Sequence, residues 1–86
     1  MKLLFQKHFV KAWSKLTPKM QEKVDQVIEL FKVNPKDPTL DNHSLRGDLA
    51  GKRAIRVTWN VRIVFEEFDD YAEVMLVDVG SHNQVY

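Results

Sequence analysis

RAIRVTW (residues 53–59), VRIVFEEF (61–68) and YAEVMLVDV (71–79) are three runs rich in β-branched and aromatic residues, parted only by Asn60 and by Asp69-Asp70. Side chains of that kind fit a pleated, half-buried surface, so each run reads as a strand. The Asp-Asp pair reads as a tight hairpin turn, and strands joined by connections this short must run antiparallel. A three-stranded meander has one face to cover, and the cover has to come from elsewhere in the chain.

The N-terminal half supplies it. Phe9, Val10, Trp13 and Leu16 recur at helical spacing, while Lys7, Lys11 and Lys15 repeat every four residues on another face. Thr17 can cap a new helix and Pro18 suits its first position, where a missing N–H costs nothing. Met20, Val24, Val27, Ile28 and Phe31 continue that second helix to about Val33, and Pro35 and Pro38 stop it. So short a connection makes the two helices an antiparallel hairpin. Lys2–Phe5, apolar and short, is a further strand. Residues 34–51 form a long loop anchored by Leu40, Leu45 and Leu49, and loops of this length are usually functional or disordered. The expected fold is α+β, in the order β-α-α-β-β-β, with a helical hairpin packed on a small antiparallel sheet as one domain over residues 1–86.

A chain of 86 residues buries only about 60–65% of its unfolded surface, so the core is thin and function is expected on an outer face or in a shallow groove. No run approaches the roughly 18 apolar residues that span a bilayer, and Lys7, His8 and Lys11 interrupt the opening stretch where a signal peptide needs an apolar centre. Cysteine is absent, which excludes a disulfide framework, a thiolate metal site and a cysteine nucleophile. The cytoplasm is the expected compartment. The net charge of +1 conceals a polarity: residues 1–62 carry all 13 Lys and Arg against 6 acids, and residues 63–86 carry 6 acids and no Lys or Arg. One side suited to a polyanion explains this, and chance segregation on a solvated surface explains it equally well.

Several features then coincide: the opening helical hairpin, His43-Ser-Leu-Arg-Gly47 in the loop, Arg62-Ile-Val-Phe65 in the strand, and Gly80-Ser-His-Asn-Gln-Val-Tyr86 at the end. In order and spacing the set resembles the RelE/ParE superfamily of toxins from type II toxin-antitoxin pairs, and within it the YafQ-like and HigB-like ribosome-dependent mRNA interferases. The resemblance spans essentially the whole chain. It implies an endoribonuclease in which the ribose 2′-OH attacks the adjacent phosphodiester. Such a reaction needs no cofactor, metal or protein nucleophile, only an acid, a base and cations around the transition state. It also implies a cognate antitoxin, mRNA and ribosomal RNA as partners, no membrane, and oligomers formed only through the antitoxin.

On that resemblance the catalytic candidates are His43, Arg62, His82 and Tyr86, with Arg56, Arg53 and Lys52 for the phosphate. Histidine exchanges protons near neutrality. Arg62 matches the arginine at the scissile phosphate, and Tyr86 the aromatic that stacks on a base or assists proton transfer. The plainer readings are a surface turn for His43, cross-strand pairing of Arg62 with Glu66, Glu67 or Glu73, and a frayed end for Tyr86. Trp59, at a strand end, reads as core, with base stacking as its alternative. Three departures from the YafQ pattern stand out: Arg56 replaces a histidine, Asn60 an aspartate and Val61 a tryptophan. A ParE-like gyrase-binding toxin without nuclease activity, or a degenerate inactive member, are the competing functions; paired His43 and His82 argue against the former. Gly80 is expected to turn the chain so that His82 and Tyr86 return over the sheet.

Overall fold

The computed structural model describes residues 1–86. The three runs form the expected meander: β3 (Arg53–Arg56), β4 (Val61–Phe68) and β5 (Glu73–Ser81), each antiparallel to the next. Strict alternation along β5 would put Val74, Leu76 and Asp78 on one face. Burying that carboxylate would be costly, and the register slips to avoid it. Val64 pairs with Asp78 but Phe65 with Leu76, so Val77 is an extra residue, a β-bulge. Val74, Leu76 and Val79 therefore share the core face with Ile55, Ile63 and Phe65. Asp78 turns away, accepts a bond from the Val79 N–H at 2.8 Å and lies 3.2 Å from His8 Nε2.

The sheet is larger than the meander and mixed. β1 (Lys2–Phe5) lies parallel to β5, and the two-residue β2 (His43–Ser44) lies antiparallel to β3, giving the order β1-β5-β4-β3-β2. A parallel neighbour needs a long crossover, and the helical hairpin provides part of it. Helices α1 (Lys7–Ser14) and α2 (Pro18–Val33) begin and end within a residue or two of the expected positions. Thr17 Oγ1 accepts from the Met20 N–H at 3.2 Å with Pro18 beside it. The hairpin is stitched by Trp13 Nε1 donating to Asp25 Oδ1 at 3.1 Å and by Gln21 Nε2 donating to the Trp13 carbonyl at 3.1 Å. Phe9, Val24, Ile28 and Phe31 descend from the helices onto the sheet, and Leu40 joins them from the loop. Phe31 meets Phe65 edge to face, with ring centroids 4.9 Å apart.

The opposite face of the sheet is not left to solvent. Ala54 and Val64, paired across β3 and β4, are fully buried there, and Val85 lies against this face from a short C-terminal helix, α3 (His82–Val85). This helical turn accomplishes the return from Gly80. The loop is ordered in the same way, by 3-10 turns at Pro38–Leu40 and Gly47–Leu49 and by Asp37, whose carboxylate accepts from the Thr39 N–H and hydroxyl. Those two bonds hold the Asp37 carboxyl below its ordinary pKa.

Replacing Phe31 by alanine removes the ring that contacts both Phe65 and Tyr71. Phe31→Ala is expected to lose about 3–5 kcal/mol of unfolding free energy in urea titrations, comparable to the whole stability of a small domain. Phe31→Leu is expected to stay folded. A loss under about 1 kcal/mol for the alanine variant would show that Phe31 is not central to the core.

Candidate functional site

Strand register settles which side chains share the second face. Directly opposed residues in antiparallel strands project to the same side. Arg56 opposes Arg62, Arg62 opposes Gly80, Ala54 opposes Val64, and His43 opposes Ala54. His43, Arg56 and Arg62 therefore stand together on the face away from α1 and α2. Like charges directly opposed are destabilising, and neither guanidinium forms a salt bridge. The alternative pairing of Arg62 with Glu66, Glu67 or Glu73 is not formed: those acids lie further along β4 and at the far end of β5. Arg62 Nη1 instead donates to the carbonyls of Thr58 at 2.6 Å and Val61 at 3.2 Å, and Arg56 Nη2 to the Thr39 carbonyl at 3.4 Å. Both charges are positioned without being neutralised, the condition for receiving an anion.

The loop histidine is held by a clamp that spacing alone did not reveal. Arg53 opposes Phe65 and so falls on the helical side of the sheet, where its Nε donates to Asn42 Oδ1 at 2.8 Å. The Asn42 amide donates in turn to the Pro35 carbonyl at 2.9 Å and to the Tyr71 hydroxyl at 3.0 Å. With Asn42 fixed, β2 begins at His43 and its imidazole lies beside Asp41. Nδ1 is 2.8 Å from the Asp41 carbonyl oxygen, which can only accept, so Nδ1 carries the proton and Nε2 a lone pair in the neutral ring. Asp41 has a left-handed φ of 49°, a conformation that aspartate tolerates better than most residues.

The third contribution comes from α3. Gly80 leaves room for the cap: a Cβ there would sit 2.8 Å from Gln84 Oε1 and 3.4 Å from Val85 Cγ1, displacing the Gln84 amide. Gln84 Oε1 accepts from the Ser81 N–H at 2.8 Å, the reciprocal half of a capping box. The His82 N–H donates to the Asn60 carbonyl at 2.8 Å, tying α3 to the β3–β4 turn. One helical turn later the Tyr86 ring meets the His82 ring edge to face, centroids 4.3 Å apart. The Tyr86 hydroxyl then reaches a long 3.5 Å contact with His43 Nε2. Partial burial raises the Tyr86 pKa above its ordinary value of 10.0; Arg62 nearby pulls it down and Asp41 pushes it up. Tyr86 is therefore a neutral phenol at neutral pH, able to donate a hydrogen bond.

Of the seven residues singled out from the sequence, His43, Arg56, Arg62, His82 and Tyr86 come to one region, and two do not. Arg53 serves the Asn42 clamp, and Lys52 lies 3.8 Å from Glu66 Oε1. Trp59 is not core: at the β3–β4 turn it is 85% exposed. The acidic residues Asp69 and Asp70 form the turn after β4, at the opposite end of that strand from Trp59, roughly 23 Å away at about 3.3 Å per residue. Sequence reasoning missed the Asn42 clamp and the α3 cap. Ser81 followed three residues later by Gln84 was the available signal for the cap; nothing local marked Asn42.

No family model matches the sequence, and no curated protein matches it. Solved structures do. A copper-bound mutant toxin from Helicobacter pylori is 26% identical, with a TM-score of 0.71, covering 100% of this chain and 99% of that one. YafQ from E. coli superposes with a TM-score of 0.81 at 18% identity, over 99% of this chain and 97% of that one. The same E. coli protein in the DinJ–YafQ toxin-antitoxin complex gives 0.78 at 18% identity, over 99% and 96%. The fold is that of the RelE-like toxin superfamily. Its neighbours are toxins of toxin-antitoxin systems, some determined with their antitoxin.

In a Tyr71→Phe background the phenolate absorbance reports Tyr86 alone, and its midpoint is expected above 10. Arg62→Ala should raise that midpoint further and Asp41→Asn should lower it. Midpoints indifferent to both substitutions would separate Tyr86 from the Arg62–His43 cluster.

Proposed function

We propose that the protein is the toxin of a type II toxin-antitoxin pair and cleaves mRNA on the ribosome, in the cytoplasm, by attack of a ribose 2′-OH on the neighbouring phosphodiester. The observation that carries this reading is the meeting of an imidazole lone pair, a protonated phenol and two unpaired guanidiniums on one sheet face.

Each group has a task that its surroundings favour. His43 Nε2, free to accept because Nδ1 is committed to the Asp41 carbonyl, takes the proton from the 2′-OH. Arg62 and Arg56 stabilise the extra negative charge on the phosphorane, where fixed cations act without reorganising. His82, edge to face with Tyr86 at the margin of the site, protonates the departing 5′-oxygen. Tyr86 donates its hydroxyl hydrogen bond to the reacting group or holds a base in place. The substrate supplies the nucleophile, so the reading calls for no cofactor. Lys7, Lys11 and Lys15, exposed along α1 and its C-cap, supply phosphate contacts to ribosomal RNA, and Lys19 and Lys23 are exposed nearby on α2. A cognate antitoxin is the expected protein partner, and no helix is long and apolar enough to cross a membrane.

Expression of the chain alone in bacteria is expected to arrest growth and to produce cuts within codons of translated messages. His43→Ala and Arg62→Ala should each reduce cleavage on programmed ribosomes by about a hundredfold or more. Arrest with intact mRNA and collapsed supercoiling would replace this reading by gyrase inhibition. Variants that cut as well as the parent would dismantle the site while leaving a nuclease.

A further inference from the structure

Trp59 has no part in the chemistry above, yet it is 85% exposed on a turn that is not loose. The Val57 N–H donates to the Val61 carbonyl at 2.8 Å, and Thr58 Oγ1 accepts from the N–H groups of Val61 at 3.1 Å and Asn60 at 3.3 Å. The Thr58 carbonyl holds Arg62 and the Asn60 carbonyl holds the start of α3. The indole thus stands on a pedestal fixed by the same bonds that place Arg62 and His82. The other tryptophan, Trp13, is half-buried and hydrogen-bonded to Asp25.

The surroundings indicate a ligand. The Thr58 carbonyl, one residue before Trp59, holds the unpaired Arg62 at 2.6 Å. Thr58 also lines an open groove of about 400 Å³ with Lys19, Lys23, Gln26, Thr17 and one acid, Glu22. An exposed flat ring on a turn whose Thr58 both binds Arg62 and lines a groove with Lys19 and Lys23 suits the alternation of base and phosphate along a single strand.

We propose that Trp59 is a base-stacking platform for the nucleotide next to the scissile phosphate, with Lys19 and Lys23 receiving the phosphate beyond it. The inference rests on the proposed RNA cleavage and adds a substrate-binding subsite to it. With the backbone of the turn already fixed, only the two side-chain torsions of Trp59 remain to be ordered on stacking, so the contact contributes to affinity and leaves the chemical step unchanged.

The test measures cleavage of mRNA on programmed ribosomes against protein concentration. Trp59→Ala is expected to raise the half-saturating concentration about tenfold and to keep the maximal rate within about twofold of the parent, while Trp59→Phe retains most of the affinity. Co-sedimentation with ribosomes carrying an mRNA blocked by 2′-deoxy substitution gives the same comparison without cleavage. A parent that binds this complex but never cuts the unblocked message would fail the nuclease reading, and the binding comparison would still decide the role of Trp59. Equal binding and equal half-saturation for Trp59→Ala and the parent would overturn the subsite. So would a defect confined to antitoxin affinity, which would assign the indole to a protein interface.

Discussion

The bulge at Val77 is the constraint on which the rest of the structure depends. Alternation along β5 puts Asp78 in phase with Val74 and Leu76, and an unpaired carboxylate in that core would cost several kcal/mol. One extra residue moves Asp78 out and Val79 in. The slip also sets the course of the chain toward its C-terminus. Beyond the bulge, Gly80 stands opposite Arg62 and the chain leaves β5 from the face that carries Arg56 and Ala54. The same phase correction that completes the hydrophobic core thus delivers α3 to the cationic face.

That second face is covered sparingly. Ala54, Val64 and Val85 are its only buried apolar side chains, too few to order much chain on their own. Hydrogen bonds supply the remainder, through Gln84 to Ser81, His82 to Asn60 and Arg62 to Thr58. The thinness has a functional counterpart: a fuller apolar cover over Val64 would occupy the space between His43 and Arg62. Placing Arg56 opposite Arg62 is unfavourable in isolation, and an arriving phosphate would convert that repulsion into shared attraction. A site that carries such a local conflict departs from ideal folding rules where function would justify it.

The fold was legible because its signals are local and redundant. The meander followed from three β-rich runs, and α2 from Thr17, Pro18 and two terminating prolines, each carrying its own turn or cap chemistry. β2 was not legible, since two residues carry no period. The parallel pairing of β1 also lay beyond local reading, because it depends on where a long crossover returns. At the site, the family resemblance marked His43, Arg62, His82 and Tyr86, and spacing put Arg53 and Arg56 on opposite faces, but only register shows which of the two arginines joins the others. Three positions apart on one strand, they fall on opposite faces: Arg56 toward the unpaired cationic cluster, Arg53 toward Asn42. Trp59 was misread because a tryptophan at a strand end is usually core, whereas this strand had already ended at Arg56.

The charge polarity of the sequence takes its meaning from the same geometry. β4 begins beside Arg62 and Trp59 and ends at Glu66, Glu67 and the Asp69–Asp70 turn, so unpaired arginines mark one end of the strand and a run of acids the other, where Lys52 and Lys2 lie beside Glu66 and Glu73. Over roughly 23 Å, at least two screening lengths at physiological salt, the acids exert little force on a phosphate held at Arg62. They would nevertheless repel a strand of RNA drawn along the sheet toward them. Under the proposed function, an RNA strand would be directed across the β3–β4 end, past the Trp59 turn and the lysines of α2. Chance segregation of charge would not require the basic end to coincide with the end that gathers two histidines, a tyrosine and two unpaired arginines.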